Sequence, residues 1–189
     1  MAERRRMQSL VRLGSHQQAE LDRATLETLE ASIGNDIEEA AANYADMDAV
    51  AGSMQSITRK VDAVAATKGW GAEQRDAYLA SQVNTAHKAV IDNLLQAAPQ
   101  AATAYYEANK DSIAGTQRAV IERNLEAANL RGAAQQRADE ILAQGLPEQD
   151  ALTEARQIED VKLRDETVRR IKSRYADERR LREQDSREA

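Results

Sequence analysis

The sequence predicts an all-α protein, either an extended helical bundle or a series of helical hairpins, with no sheet. Of the 189 residues only eight are glycine and two are proline, whereas alanine, glutamate, arginine, glutamine and leucine, which favour helices, are abundant. Apolar residues also recur three and four positions apart along most of the chain. With no phenylalanine and 3% aromatic residues, the core must be built from side chains that each bury little area.

The charge balance and the residue types argue against several classes of function. The net charge is -6, whereas nucleic-acid binders usually carry a basic face, so no specific nucleic-acid binding is expected. The chain has no cysteine, which excludes disulfides and thiolate metal sites. No apolar run approaches the roughly 18–20 residues that span a membrane. The arginine-rich start, MAERRRMQSLVRLGS, predicts a frayed or docked N-terminal helix, with contact to a membrane or an acidic partner as the alternative.

Residues 1–71 are expected to form an N-terminal helical region. A helix over 17–33 is predicted to end at Gly34, because glycine commonly follows the last helical residue. The Gly-Trp-Gly sequence at 69–71 breaks the helical pattern again. Its tryptophan, Trp70, is expected to lie in a crevice between helices.

Residues 72–160 are expected to form a core region of helical hairpins. Pro99 is predicted to end a long helix over 72–98 and to open the next one. Tyr105 and Tyr106 point about 100° apart on that second helix, so each ring is expected to cover a different neighbouring helix. The apolar residues of the first helix form a narrow seam at nearly coiled-coil spacing: Leu79, Val83, Ala86, Val90, Leu94 and Ala97.

A further helix over 116–143 carries Ile121 and Leu125 among its apolar positions. The last region, 161–189, reads as a charged helix with many acid–base pairs four residues apart. We expect those pairs to hold a largely solvated helix. Its apolar positions on one side are Val161, Val168, Ile171 and Tyr175, with Leu181 at its edge.

We find no pattern of catalytic, cofactor-binding or metal-binding residues, and we expect the chain not to be an enzyme. The two histidines, His16 and His87, lie far apart and match no metal-binding spacing. We interpret His87 as a capping or packing residue. The residues that stand out are candidates for packing or for an interface: Trp70, Leu79, Val83, Val90, Leu94, Tyr105, Tyr106, Ile121 and Leu125.

Two stretches carry a resemblance to a known group of proteins. The first, 86–142, begins AHKAVIDNLLQAAPQAATAYYEANKDSI, and the second, 151–175, reads ALTEARQIEDVKLRDETVRRIKSRY. They resemble helical regions of minor structural proteins of tailed bacteriophages, including internal virion or ejection proteins. Some of those proteins carry a lytic transglycosylase domain elsewhere, but its glutamate-centred motif is not found here, so no active site is carried over.

The resemblance implies a role in the virion. Such proteins sit inside the particle or tail, pass into the host periplasm or envelope with the genome, and help to form a delivery conduit. It also implies self-association, in a ring, and contacts with portal, tail or other ejection proteins. The alternative is a helical adaptor, scaffold or assembly chaperone that binds protein partners through helix-in-groove contacts. A virion component should be present in mature particles, whereas a scaffold or chaperone should be absent from them.

Overall fold

The computed structural model describes the backbone of residues 2–188 and the side chains of residues 16–186. Over these residues the chain is all-α, with seven α-helices and no strand, as the sequence predicts. The expectation of a frayed, docked or membrane-contacting arginine-rich start concerns side chains that lie outside the described residues. The helices are α1 (Ala2–Ala42), α2 (Met47–Lys68), α3 (Ala72–Ala97), α4 (Pro99–Asn109), α5 (Gly115–Leu142), α6 (Glu148–Ala155) and α7 (Val161–Glu188), with a 3-10 turn at Lys110–Ser112.

The helices belong to two compact units, residues 1–121 and 122–189, whose boundary falls within α5. This division differs from the expected ranges 1–71, 72–160 and 161–189. The difference has a physical reason at the first expected boundary, because α2 and α3 pack together on α1 in the first unit.

The first unit has a core between α1, α2 and α3. Its buried residues are Ile33, Ile57, Val61, Val64 and Ala86. A partly buried ion pair also joins α1 to α2, since Lys60 Nζ lies 2.7 Å from the Asp36 carboxylate and donates to the Ser32 carbonyl at 3.1 Å.

The predicted end of a helix at Gly34 is wrong, because α1 continues to Ala42. A glycine inside a helix costs only about 1 kcal/mol relative to alanine. The residues around it, including Ile33, Asp36 and Ala40, are buried, and their packing outweighs that cost. The break at 69–71 is confirmed: Gly69 adopts a left-handed conformation, with φ of 66°, and ends α2.

Pro99 acts as the sequence predicts. It ends α3 and occupies the first position of α4, where its missing N–H has no helical partner to lose. The corner is completed after α4, where the Ala114 N–H donates to Asn84 Oδ1 at 2.6 Å and ties the start of α5 to α3.

The second unit contains α6, α7 and the later part of α5. Tyr175 donates its hydroxyl proton to the Leu146 carbonyl at 2.6 Å, and Asp160 accepts from the N–H of Leu163 at the start of α7. Val161 and Leu181, which the sequence places on the apolar side of α7, are 56% and 61% exposed. The core residues are Ala138, Ile141, Ala151, Leu152, Ala155 and Ile171, with Val168 and Tyr175 against them.

Candidate functional site

The first unit contains an open cleft of about 750 Å³ between α2, α3 and α4. Its walls are mostly aliphatic, and no lysine, arginine, aspartate or glutamate lines it. The lining residues are Met47, Val50, Ala51, Met54 and Thr58 from α2, Val83 and His87 from α3, Ala101, Ala104, Tyr105, Ala108 and Asn109 from α4, and Ser112 from the 3-10 turn.

Small side chains on α4 account for much of the space. Ala101, Ala104 and Ala108 are three and four residues apart, so they lie on one face of the helix. Each extends only one carbon from the backbone, and Ala51 does the same on α2. A wall of small side chains therefore faces the longer side chains of Met47 and Met54.

One hydrogen bond between α3 and α4 forms part of the cleft wall. Nδ1 of His87 and the hydroxyl of Tyr105 are 2.8 Å apart. The side chains are almost fully buried, His87 with 5% and Tyr105 with 8% exposure, and their ring centroids are 5.7 Å apart. The burial of His87 agrees with its interpretation as a packing residue. The sequence did not reveal that its partner is Tyr105, 18 residues further along the chain.

Burial keeps both groups neutral near pH 7. Desolvation lowers the pKa of His87 below its usual range and raises the pKa of Tyr105 to about 12. We assign the phenol as the donor to Nδ1, because a phenol O–H is a stronger acid than a neutral imidazole N–H. In this tautomer the other ring nitrogen, Nε2, carries the proton. Within the described part of the chain, no group bonds to Nε2.

Two other polar side chains of the cleft bond locally, whereas the exposed Ser112 hydroxyl has no hydrogen bond to the described residues. The Thr58 hydroxyl donates to the Met54 carbonyl at 3.0 Å, and Asn109 Nδ2 donates to the Tyr105 carbonyl at 2.8 Å. The cleft therefore combines apolar walls with a few polar groups, of which the Nε2–H of His87 and the hydroxyl of Ser112 are available to a ligand. This combination suits non-covalent binding of an apolar molecule.

Only two of the nine packing or interface candidates line the cleft, namely Val83 and Tyr105. Trp70 and Leu79 are half-buried against the core of α1, α2 and α3, and Trp70 meets Tyr78 edge-on with 5.3 Å between ring centroids. The remaining candidates are buried: Val90, Leu94, Tyr106, Ile121 and Leu125.

Sequence reasoning missed most of the cleft. Met47, Val50 and Met54 lie three and four residues apart on α2, which identifies an apolar face but not what the face meets. The four alanines looked like ordinary helix formers. The closest signal was the spacing of Val83 and His87, four residues apart on one face of α3.

Among residues 16–186 no cluster of three or more histidine, aspartate or glutamate side chains is arranged to hold a metal ion. None of the described helices combines the length and apolar character needed to cross a bilayer. The chain matches no protein-family model, no curated protein and no solved structure.

Proposed function

We propose that this chain is a structural protein of a tailed-phage virion, an internal or ejection protein that oligomerises and helps to form the genome-delivery conduit across the host envelope. The observation that carries the proposal is the resemblance of residues 86–142 and 151–175 to helical regions of such proteins. Its partners are further copies of itself and portal, tail or other ejection proteins. It works in the virion and then in the host periplasm or envelope.

The packing of the resembling stretch supports a structural role. Val90 and Leu94 are buried on α3, Pro99 forms the corner, and Tyr105 and Tyr106 are buried on α4. These residues of the resemblance therefore stabilise a helical corner.

The pattern of helix contacts supports passage through a narrow channel. In the first unit α1 packs on α2, α2 on α3 and α3 on α4, and in the second α6 packs on α7, so most contacts join consecutive helices. Proteins rich in such local contacts refold quickly. A single α-helix with its side chains is only about 10–12 Å wide, so an opened chain of this kind fits a narrow tube.

The proposal is tested on mature particles of the phage that encodes the chain. The particles are purified by density gradient, and the chain is quantified by mass spectrometry against the major capsid protein. A fixed copy number per particle is expected. Absence from mature particles would overturn the proposal and favour the scaffold or assembly-chaperone alternative.

Self-association has a separate test. The mass of the purified chain is measured by light scattering behind a sizing column. A discrete oligomer well above the 20.9 kDa of one chain is expected. A monomer at every concentration would contradict self-association of the chain alone and assign assembly to its partners.

A further inference from the structure

We propose that the cleft between α2, α3 and α4 is a binding site for an uncharged, largely apolar small molecule that carries one hydrogen-bond acceptor. The acceptor binds the Nε2–H of His87, and the rest of the ligand lies against the alanines of α4 and the methionines of α2. This site goes beyond the proposed virion role and does not depend on it.

The size of the cleft fits a small molecule. Ligand sites in proteins usually measure about 300–1,000 Å³, and this cleft measures about 750 Å³. Its alanine wall is also exposed at Ala101 and Ala104, so a ligand can reach it without opening the core.

The charge of the lining selects an uncharged ligand. None of the lining residues is an acid, a lysine or an arginine, and burial keeps His87 neutral. A charged ligand would lose its hydration with no opposite charge in the cleft to replace it, which is strongly unfavourable. An uncharged apolar ligand loses little hydration free energy on entering the cleft, and it gains contact with the aliphatic walls.

The position of His87 selects an acceptor on the ligand. Tyr105 occupies Nδ1 and holds the ring in one tautomer, while Nε2 has no bonding partner within the described residues. The histidine lines the cleft, and because its Nε2 has no partner there yet is not a fully buried atom, this donor is accessible from solvent. A carbonyl oxygen on a ligand can accept from it in place of water.

The test uses two uncharged fluorescent naphthalenes that differ in one group. The first, 6-propionyl-2-(dimethylamino)naphthalene, carries a ketone, and the second, 2-(dimethylamino)naphthalene, lacks it. Each is titrated with the full chain at pH 7.5. We expect saturable binding of the ketone probe at one site per chain, with a blue shift of its emission. No saturable binding of either probe would overturn the proposal.

Filling the cleft provides the location test. Ala104→Leu places three further carbons in the cleft, and we expect it to weaken binding of both probes at least tenfold. The matched control is Ala77→Leu, which changes an exposed alanine of α3 outside the cleft and should leave binding unchanged. Ala101→Leu gives a second wall variant. Circular dichroism verifies that all three variants fold. Equal binding by the wall variants and the control would overturn the location.

The role of His87 is tested by His87→Phe, which keeps a ring and removes the donor. We expect the ketone probe to bind about three- to tenfold more weakly, as one hydrogen bond predicts. The probe without the ketone should bind the variant and the unsubstituted chain alike. If the two probes lose affinity equally, the acceptor is not held by His87 and the proposed ligand chemistry is wrong.

Discussion

The hydroxyl of Tyr105 lies 2.8 Å from Nδ1 of His87 and joins α4 to α3 beside the cleft. The ring of Tyr105 is buried, and its hydroxyl has the hydrogen-bond partner that a buried tyrosine usually needs. The contact also determines which nitrogen of His87 remains available to a ligand. Stability and the proposed binding site therefore depend on the same pair of side chains.

Replacing Tyr105 separates its ring from its hydroxyl. Tyr105→Ala removes a buried aromatic ring and should lower the free energy of unfolding by about 3–5 kcal/mol. Tyr105→Phe keeps the ring, removes the bond to His87 and should cost about 0.5–1.5 kcal/mol. Urea unfolding followed by circular dichroism measures both values. An unchanged free energy of unfolding for Tyr105→Ala would contradict the burial of the ring.

The buried histidine should make stability depend on pH. Burial lowers the pKa of His87 in the folded chain, so below its unfolded pKa of about 6.5 the unfolded state binds more protons. This contribution to stability is present above pH 6.5 and is lost as the pH falls through the lower, folded pKa.

The measurement is urea unfolding at pH 7.5 and pH 5 for the unsubstituted chain and for His87→Gln. The carboxylates and the exposed His16 are common to both proteins, so the difference between them isolates His87. We expect acidification to destabilise the unsubstituted chain more than the variant. Equal losses would show that His87 titrates like a solvated histidine.

Two glycines should respond to alanine in opposite directions. Gly34 lies inside α1 with open space around the position of a Cβ, so Gly34→Ala should stabilise the chain by up to about 1 kcal/mol. Gly69 has a φ of +66°, so Gly69→Ala should destabilise it by about 1–2 kcal/mol. Urea unfolding followed by the fluorescence of Trp70 compares the two. Destabilisation by Gly34→Ala would contradict a continuous α1.

Salt should affect only the outer part of α7. Residues 163–175 include Thr167 and Ile171, which are buried, whereas residues 177–186 are exposed and carry local ion pairs such as Glu178–Arg182. Such pairs contribute only about 0.2–0.5 kcal/mol each and are screened at 1 M salt. Hydrogen exchange in 0.1 M and 1 M sodium chloride should accelerate over 177–186 only. Equal acceleration over 163–175 would contradict its packing on α6.

Local chemistry determined the end of α2 and the boundary between α3 and α4. Proline can start α4 but cannot continue α3, and Gly69 can adopt a backbone conformation that other residues rarely take, so these boundaries follow from single residues. Helical spacing likewise identified part of the buried side of α3, since Ala86, Val90 and Leu94 of the predicted seam are buried whereas Ala97 is exposed. The virion role stays a prediction, because it depends on the resemblance of two stretches and not on a site.

Tertiary structure decided what sequence spacing could not express. At Gly34 a weak local stop signal was outweighed by packing, because Ile33 lies in the core with residues of α2 and α3 and Ala40 is also buried. The bond between His87 and Tyr105 joins two helices, and neither residue's own helix specifies the other. The cleft arises because the alanines of α4 face the methionines of α2 across a gap. Periodicity shows which side of a helix is apolar, but only the packed fold determines what that side meets and where space is left.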